Sequence, residues 1–582
     1  VNKLLVLVVF NFLSTSSVAL AQTSLVVVFP PTNYQTSTEK IFFIGTAPVK
    51  GQVLINGKPV SRSKTGHFSP SFPLQVGENL FKVTYQNQER EVKVTRLSTP
   101  PELPPGLGFA KDSLTPAADI ARLPGELICF GAIAPPQATV SVKLANQTIP
   151  LSPQPPQAQL PANSAVLTGR NQPTTSSPSK YQGCTTVANA ADLGQPQFSL
   201  TLNGNTAIQL GEGKIQILTP AKLPVTEVTV ASGVARTGPS TDYSRLTPLP
   251  KGTRATVTGR EGDWLRLDYG GWINSKETKI LPGAVPPQTI IRSVGYRQLA
   301  GATEIIFPLQ AAVPVSVEQS DDRSFTLILY NTTAQTDTIR LDDDPLISRL
   351  DWQQMNPKQV KYTFNLKKLQ QWGYKLRYDN TTLVLTLRHA PNIQNKKPLS
   401  GIKILLDPGH GGKESGSSGL PGYLAKDVNL VLSKLLRDEL VKRGATVVMT
   451  REDDRDVSLV ERQEIISKEE PAISLSIHYN FLADDSKVEK TRGLVSFWYH
   501  PQAHSLAVFL HNYVVNKRLE PSYGVFWNNL ALTRPSAAPA VLLEFRLMSN
   551  ADEFEEVVNS QQQRKIAKTL ADGVTEWFKM TK

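Results

Sequence analysis

Along roughly the first two thirds of the chain, apolar residues alternate with polar ones over short runs that stop at Gly, Pro or Asn. From Ser24 to Arg96 the runs read "SLVVVFP", "KIFFIGTA", "GQVLINGKPV", "NLFKVTYQ" and "REVKVTRL". A period of two over five to ten residues, punctuated in this way, predicts a β-sandwich over 24–98. The order of small residues, proline, strand, turn and strand in "GTAPVKGQVLINGKPV" returns in "GAIAPPQATVSVKLANQTIPL". This echo predicts a second, related sandwich over 112–220. It is interrupted near 152–181 by a stretch rich in Pro, Gln, Ser and Thr, expected to be a disordered insertion. Two more strand-rich units follow, at 224–282 and 288–390, and then a polar linker at 391–401.

Beyond the linker, over 402–580, the period changes. The apolar runs "KILLD", "ATVVMT", "AISLSIH", "LVSFWY" and "AVLLEF" alternate with helical stretches, the pattern of an α/β sheet flanked by helices. The clearest helix is expected from Asp427 to Arg443, with Val428, Leu432, Leu435 and Leu436 on one face, Asp427 as N-cap and Gly444 at the stop. The fold class expected is therefore multidomain, all-β modules followed by an α/β domain.

The chain has 582 residues, too many for one core, and carries 62 Lys and Arg against 50 Asp and Glu, a net charge of +12. Such a balance favours a polyanionic partner. The first residues, "NKLLVLVVFNFLSTSSVALAQ", combine a lysine, an apolar run and a small-residue site at Ala19-Leu20-Ala21, which reads as a signal peptide over 1–21. The run is short for a membrane span, so no stable anchor is expected after cleavage. Export to the periplasm or cell envelope makes nucleic acid an unsuitable partner and an anionic wall polymer a suitable one. Cys129 and Cys184 are the only cysteines. In an oxidising compartment they form either a disulfide or two buried thiols, and the sequence leaves both open.

Three polar residues close apolar strands in the last domain: His410 after "ILLD", His478 after "AISLSI" and Glu544 after "AVLL". Strand ends are where α/β folds place chemistry. A hydrolytic zinc centre takes about three N or O ligands and leaves one position for water, and a neighbouring carboxylate moves the protons. Any one of these histidines is more often structural than a ligand. The "GHGG" context singles out His410, because glycines let backbone approach a bound group. Glu544 stands out because a carboxylate after four apolar residues is costly unless paired or protonated. His500 and His504 in "WYHPQAH" have a spacing of four, but Pro501 predicts that a helix starts between them, with His504 on a surface turn.

Family resemblances add to this reading. "EVTVASGVARTGPS" and "LPKGTRATVTGREGDWLRLDYGGWINS" resemble a bacterial SH3-like barrel with Trp264 and Trp272 on late strands. The strands over 288–390 resemble an AMIN-like wall-targeting domain in pattern and position. From Ile402 to Met580 the segments "DPGHGGKESG", "KDVNL", "MTREDDRDVSLVERQEI", "SLSIHYN" and "LLEFRLMSN" resemble the zinc-dependent N-acetylmuramoyl-L-alanine amidases. The resemblance implies a peptidoglycan hydrolase that cuts between N-acetylmuramic acid and L-alanine. It implies zinc held by His410 and His478 and Glu544 as the catalytic carboxylate; beside these, Asn480 in "HYN" and Arg534 in "ALTRPS" are candidates to bind substrate in the groove, with ordinary loop roles fitting equally well, and an activator protein is a further conceivable partner.

Two departures stand at the centre of that resemblance. Ala425 occupies the position of the family's glutamate ligand, with Glu414 or Asp427 as conceivable replacements. Arg546 replaces a glycine two residues after Glu544, where a shared strand face would bring its guanidinium beside the carboxylate and lower its pKa. They define the alternative, a catalytically degenerate amidase that binds peptidoglycan or regulates.

Overall fold

A computed structural model describes residues 24–97, 106–156, 158–168, 171–175, 179–320, 323–341, 343–394, 396–416, 423–480, 492–518 and 521–581. The expected signal segment 1–21 lies outside the described residues. Among those residues, no helix is long and apolar enough to cross a membrane.

The first module pairs a five-stranded sheet, led by the long hairpin Gly77–Tyr85 and Gln88–Arg96, with smaller sheets around a core that includes Ile41, Phe43, Val53, Phe81, Val83 and Val94. The second has a six-stranded sheet over residues 127–210, closed on a core of Phe130, Val140, Val142, Phe198 and Leu200. Its other sheet continues into the next module, because Ile120–Arg122 pairs with Arg254–Glu261. Trp264 and Trp272 lie on the short strands Trp264–Leu267 and Trp272–Asn274. Residues 289–388 form two sheets, of five and four strands, around Ile291, Phe307, Leu327, Tyr362 and Leu385.

The excursion expected to be disordered carries structure. Ala158–Gln159 pairs with Thr174–Thr175, and Asn163–Thr168 forms a 3₁₀ turn. Leu167 packs against Val495, Phe497, Leu532 and Leu542 of the last domain, so the polar composition of the excursion is offset by an apolar landing site that lies 328 to 375 positions further on, invisible to local pattern.

The last domain is a six-stranded sheet of β1 (Lys403–Pro408), β2 (Thr446–Met449), β3 (Ile473–Asn480), β4 (Leu494–Trp498), β5 (Ser522–Trp527) and β6 (Ala540–Leu547), in spatial order β2-β1-β3-β6-β4-β5. The first four in that order run parallel, and β4 runs antiparallel to β6. Their apolar runs are buried on both faces, as parallel strands require. One face packs on α1 (Ala425–Lys442), α3 (Pro501–Arg518) and α5 (Ser560–Met580), whose buried stripes include Leu432, Leu436, Leu506, Leu510, Leu570 and Val574. The other face carries α2 (Leu459–Glu469).

Helix α1 starts two residues earlier than expected. Leu424 is its N-cap, without a side-chain hydrogen bond, and Asp427 sits inside the first turn. Ala425, the first residue of the helix, is fully buried. At the far end Gly444 takes a left-handed φ of 96°, the conformation that a helix stop favours in glycine.

The modules are docked to this domain. Phe42 and Ile44 of the first module join its core, and Trp372 packs on Trp577 and Phe578 of α5. The short helix α4 (Ala551–Val557) meets the first module: Thr65 donates twice to Glu555, at 3.0 and 2.8 Å, and the Ala551 amide donates to Ser69.

Cys129 and Cys184 stand directly opposite on paired strands and are disulfide-bonded, which closes the alternative of two thiols. The bond spans 55 residues including the excursion. Replacing both by serine is expected to cost about 2–4 kcal/mol in that module, as loss of a loop-closing crosslink does, and is checked by calorimetry of the oxidised protein against the variant.

Candidate active site

The site begins with a register. His478 and Glu544 are partners on the adjacent parallel strands β3 and β6, so both side chains leave the same face of the sheet. Val495, opposite Glu544 on β4, continues the row. On the other side β1 ends at Pro408, and the Gly409 amide donates to the Ile477 carbonyl, one residue before His478. The imidazoles of His410 and His478 meet edge to face with centroids 5.0 Å apart. His478 Nδ1 lies 4.0 Å from Glu544 Oε1. Residues from the ends of three strands thus meet at one edge.

Two glycines make the approach possible. A Cβ at Gly409 would stand 2.2 Å from the His478 ring, and one at Gly416, itself at φ 68°, 2.5 Å from the His410 ring. His410 is left-handed, with φ 61°, a conformation costing a non-glycine residue roughly 1–2 kcal/mol.

What holds that turn is a pair of buried arginines that the sequence did not single out. Arg451 donates to the carbonyls of Pro408 (3.0 Å), Gly409 (2.9 Å) and Lys426 (2.7 Å). Arg462 of α2 donates to the carbonyls of Pro408 (2.8 Å) and His410 (2.7 Å) and pairs with Asp407 at 2.5 Å. Asp407 also accepts from Thr450 and Ser476. Arg451 and Arg462 are 1 % exposed and Asp407 0 %, so every polar group there depends on its partner. The "KDVN" segment serves the same turn: Lys426 Nζ donates to the Gly412 carbonyl, and Asn429 Nδ2 to that of Gly409.

The two row-mates are desolvated. Burial pushes the Glu544 carboxyl up to about 8, and Oε2 is buried without a hydrogen-bond partner among the described residues. Burial, with His410 beside it, pushes His478 down to about 3, and its Nε2 is likewise unpartnered.

Arg546 does not act on Glu544 as its position suggested. Its guanidinium pairs with Glu556 of α4 at 2.7 Å, and burial alone accounts for the shift at Glu544, which is upward. A side chain that long is steered by the nearest carboxylate more than by strand alternation. Asn480 closes β3, and its side chain lies outside the described residues. Arg534 is not brought to this edge: it precedes β6, at the opposite end of the strand from Glu544, and donates to Asn529 Oδ1 at 2.8 Å. His500 lies just before α3 and hydrogen-bonds the Arg534 carbonyl at 2.7 Å, while His504, in the first turn of that helix, packs on Trp498.

The residues present do not fit a three-ligand zinc centre. His410 and His478 supply two imidazoles, but among the described residues no three His, Cys, Asp or Glu are grouped to hold a metal. Ala425 is fully buried one turn before Asn429, hence on the helix face turned to the Gly409–His410 backbone, and a methyl group has nothing to donate. Glu414 bonds His410 Nδ1 at 3.0 Å and is mostly exposed; it orients the ring.

Comparison with known proteins covers two parts of the chain. Residues 404–576 match the family model of N-acetylmuramoyl-L-alanine amidase, and residues 233–279 that of the bacterial SH3 domain. A probable cell wall amidase, LytH of Staphylococcus aureus, is 37 % identical over 192 residues, 32 % of this chain and 62 % of the relative. The chain thus spans about three fifths of that relative's length. Among solved structures, the catalytic domain of the amidase CwlV from Bacillus (Paenibacillus) polymyxa var. colistinus is 27 % identical, covering 31 % of this chain and 99 % of that one, with a TM-score of 0.29. The amidase AmiC2 of Nostoc punctiforme is 28 % identical, covering 31 % and 97 %, with the same TM-score.

Two predictions follow from the geometry. Arg462→Met leaves Asp407 buried without its ion partner and is expected to cost about 3–5 kcal/mol, read as a fall in unfolding temperature of the last domain. Ala425→Glu is expected to raise zinc affinity by more than about 100-fold, beyond what an outer-shell partner contributes, as measured by competition with a chromophoric chelator.

Proposed function

We propose that the chain is a cell-wall hydrolase of the envelope that cuts the amide between N-acetylmuramic acid and the first L-alanine of peptidoglycan, with Glu544 moving the protons. The observation that carries this is the His478–Glu544 row within the segment matching the amidase family. The bacterial SH3 match and the net charge of +12 suit a wall polymer with free carboxylates as partner.

The chain's own residues divide the work as follows. Glu544, buried and with an oxygen unclaimed, takes a proton from the attacking water in its ionised form, the minor one at neutral pH with a pKa raised to about 8, and returns it to the leaving amine. His478, kept neutral by burial, stands beside it. His410 is held in place by its strained turn and by Glu414. His410 and His478 alone do not complete the zinc site that the resemblance implies.

Ala425 favours a second reading, a degenerate amidase that keeps the fold and the wall-binding modules for binding or regulation. One experiment separates them: the full chain is incubated with isolated sacculi and zinc, and free stem peptides are followed by mass spectrometry. The hydrolase reading expects release that falls about 100-fold or more in Glu544→Gln. Release by Ala425→Glu alone would establish the degenerate reading.

A further inference from the structure

A polar cavity of about 370 Å³ lies at the end of the sheet that carries Glu544, where β6 ends and β4, antiparallel to it, begins. Charged side chains of both signs line it. Arg492 precedes β4, Arg518 ends α3, Arg546 stands on β6, and Asp552, Glu553 and Glu556 belong to α4. Three guanidiniums thus meet three carboxylates, and among the described residues that line the cavity neither sign is in excess.

Arg546 reaches this place through an irregularity in the sheet. Tyr479 pairs with Phe545 and Asn480 with Leu547, so Arg546 is the extra residue of a β-bulge, and a bulge re-aims the side chain it carries. Its guanidinium pairs with Glu556 at 2.7 Å, Arg492 pairs with Asp552 at 2.8 Å, and Arg518 donates to Gln562 Oε1 at 3.0 Å. Glu553 does a different job. Only 3 % exposed, it accepts the Gly493 amide at 3.0 Å and the Leu547 amide at 2.8 Å, and so fixes the start of β4 to the end of β6. The wall is therefore built, whereas the carboxylates of Asp552 and Glu556, 60 % and 43 % exposed, sit in ion pairs of the kind that solvent makes weak. A dipolar ligand can enter such pairs at little cost, its ammonium on the acids and its carboxylate on the guanidiniums. A ligand of one net charge would meet as much repulsion as attraction.

We propose that this cavity is a subsite for a zwitterionic amino-acid group, an ammonium and a carboxylate on one carbon, at the free end of a stem-peptide side chain. Asp552 and Glu556 take the ammonium, and Arg518 and Arg546 take the carboxylate, which the planar guanidinium fork matches. Glu544 and Arg546 are two residues apart on β6, about 7 Å along the strand, and two extended peptide residues span about the same length. A stem peptide cut beside Glu544 thus brings its third residue to the cavity. Arg546, a departure from the family resemblance, becomes a determinant of which wall peptide is held. This proposal rests on the wall-hydrolase reading and names the substrate end that the reading leaves open.

The test is calorimetric titration of the full chain with two tripeptides that lack the scissile bond. L-Ala-γ-D-Glu-meso-diaminopimelate carries the zwitterionic group, and L-Ala-γ-D-Glu-L-Lys ends its side chain in an ammonium alone. The first is expected to bind, the second at least about tenfold more weakly, and Arg546→Gln and Asp552→Asn each to weaken the first about tenfold, the worth of a charge-assisted hydrogen bond. Unfolding temperatures check the variants, and the comparison of the two peptides needs no variant. Equal binding of both peptides, binding of neither, or unchanged affinity in either folded variant would overturn the proposal. Stem-peptide release from sacculi without a preference between the tripeptides removes the subsite and leaves the hydrolase. The preference without release supports the subsite and removes the hydrolase.

Discussion

The candidate site depends on one buried constraint, the guanidinium groups of Arg451 and Arg462 gathered around the backbone of residues 407–410. A histidine in left-handed conformation persists only where its surroundings over-determine it. Here the carbonyls of Pro408, Gly409 and His410 are each claimed by a guanidinium, and the Asp407 carboxylate balances part of the charge. Release of any of these would let the turn relax, and the ring of His410 would leave that of His478. The site is therefore held from beneath, by groups that never face it.

Much of the architecture was legible because it follows from period and punctuation. Apolar runs ending abruptly in His410, His478 and Glu544 locate the ends of parallel strands, and parallel strands end on one edge. The supporting arginines were illegible for a physical reason: in "TREDDRD" and "VERQE" the charge density reads as a solvated surface, and only the tertiary fold reveals that Arg451 and Arg462 are enclosed. The same limit explains Arg546, whose partner Glu556 lies on a helix that strand alternation cannot anticipate. Asp427 looked like a cap because capping residues are recognised by type, whereas the helix begins at the buried Ala425 with Leu424 as its N-cap.

Ala425 shows how a fold and its chemistry come apart. Around Ala425, Lys426 and Asn429 tie the helix to the turn, and the two histidines face each other. The methyl group of Ala425 offers this edge no donor, and Asn429 Oδ1, His478 Nε2 and Glu544 Oε2 lie buried there without hydrogen-bond partners among the described residues. Stability and the ligand count are set by different atoms of the same helix turn.

The contact between Thr65 and Glu555 joins residues 490 positions apart, and Phe42 and Ile44 lie in a core built mainly from the last domain. A ribosome delivers these partners at opposite ends of synthesis. The first module therefore waits, with Phe42 and Ile44 lacking their final neighbours, while the intervening modules fold and bring the ends within reach. Such long-range closure is slow by topology, and the exposed apolar pair makes the unfinished chain a natural client for a holding chaperone.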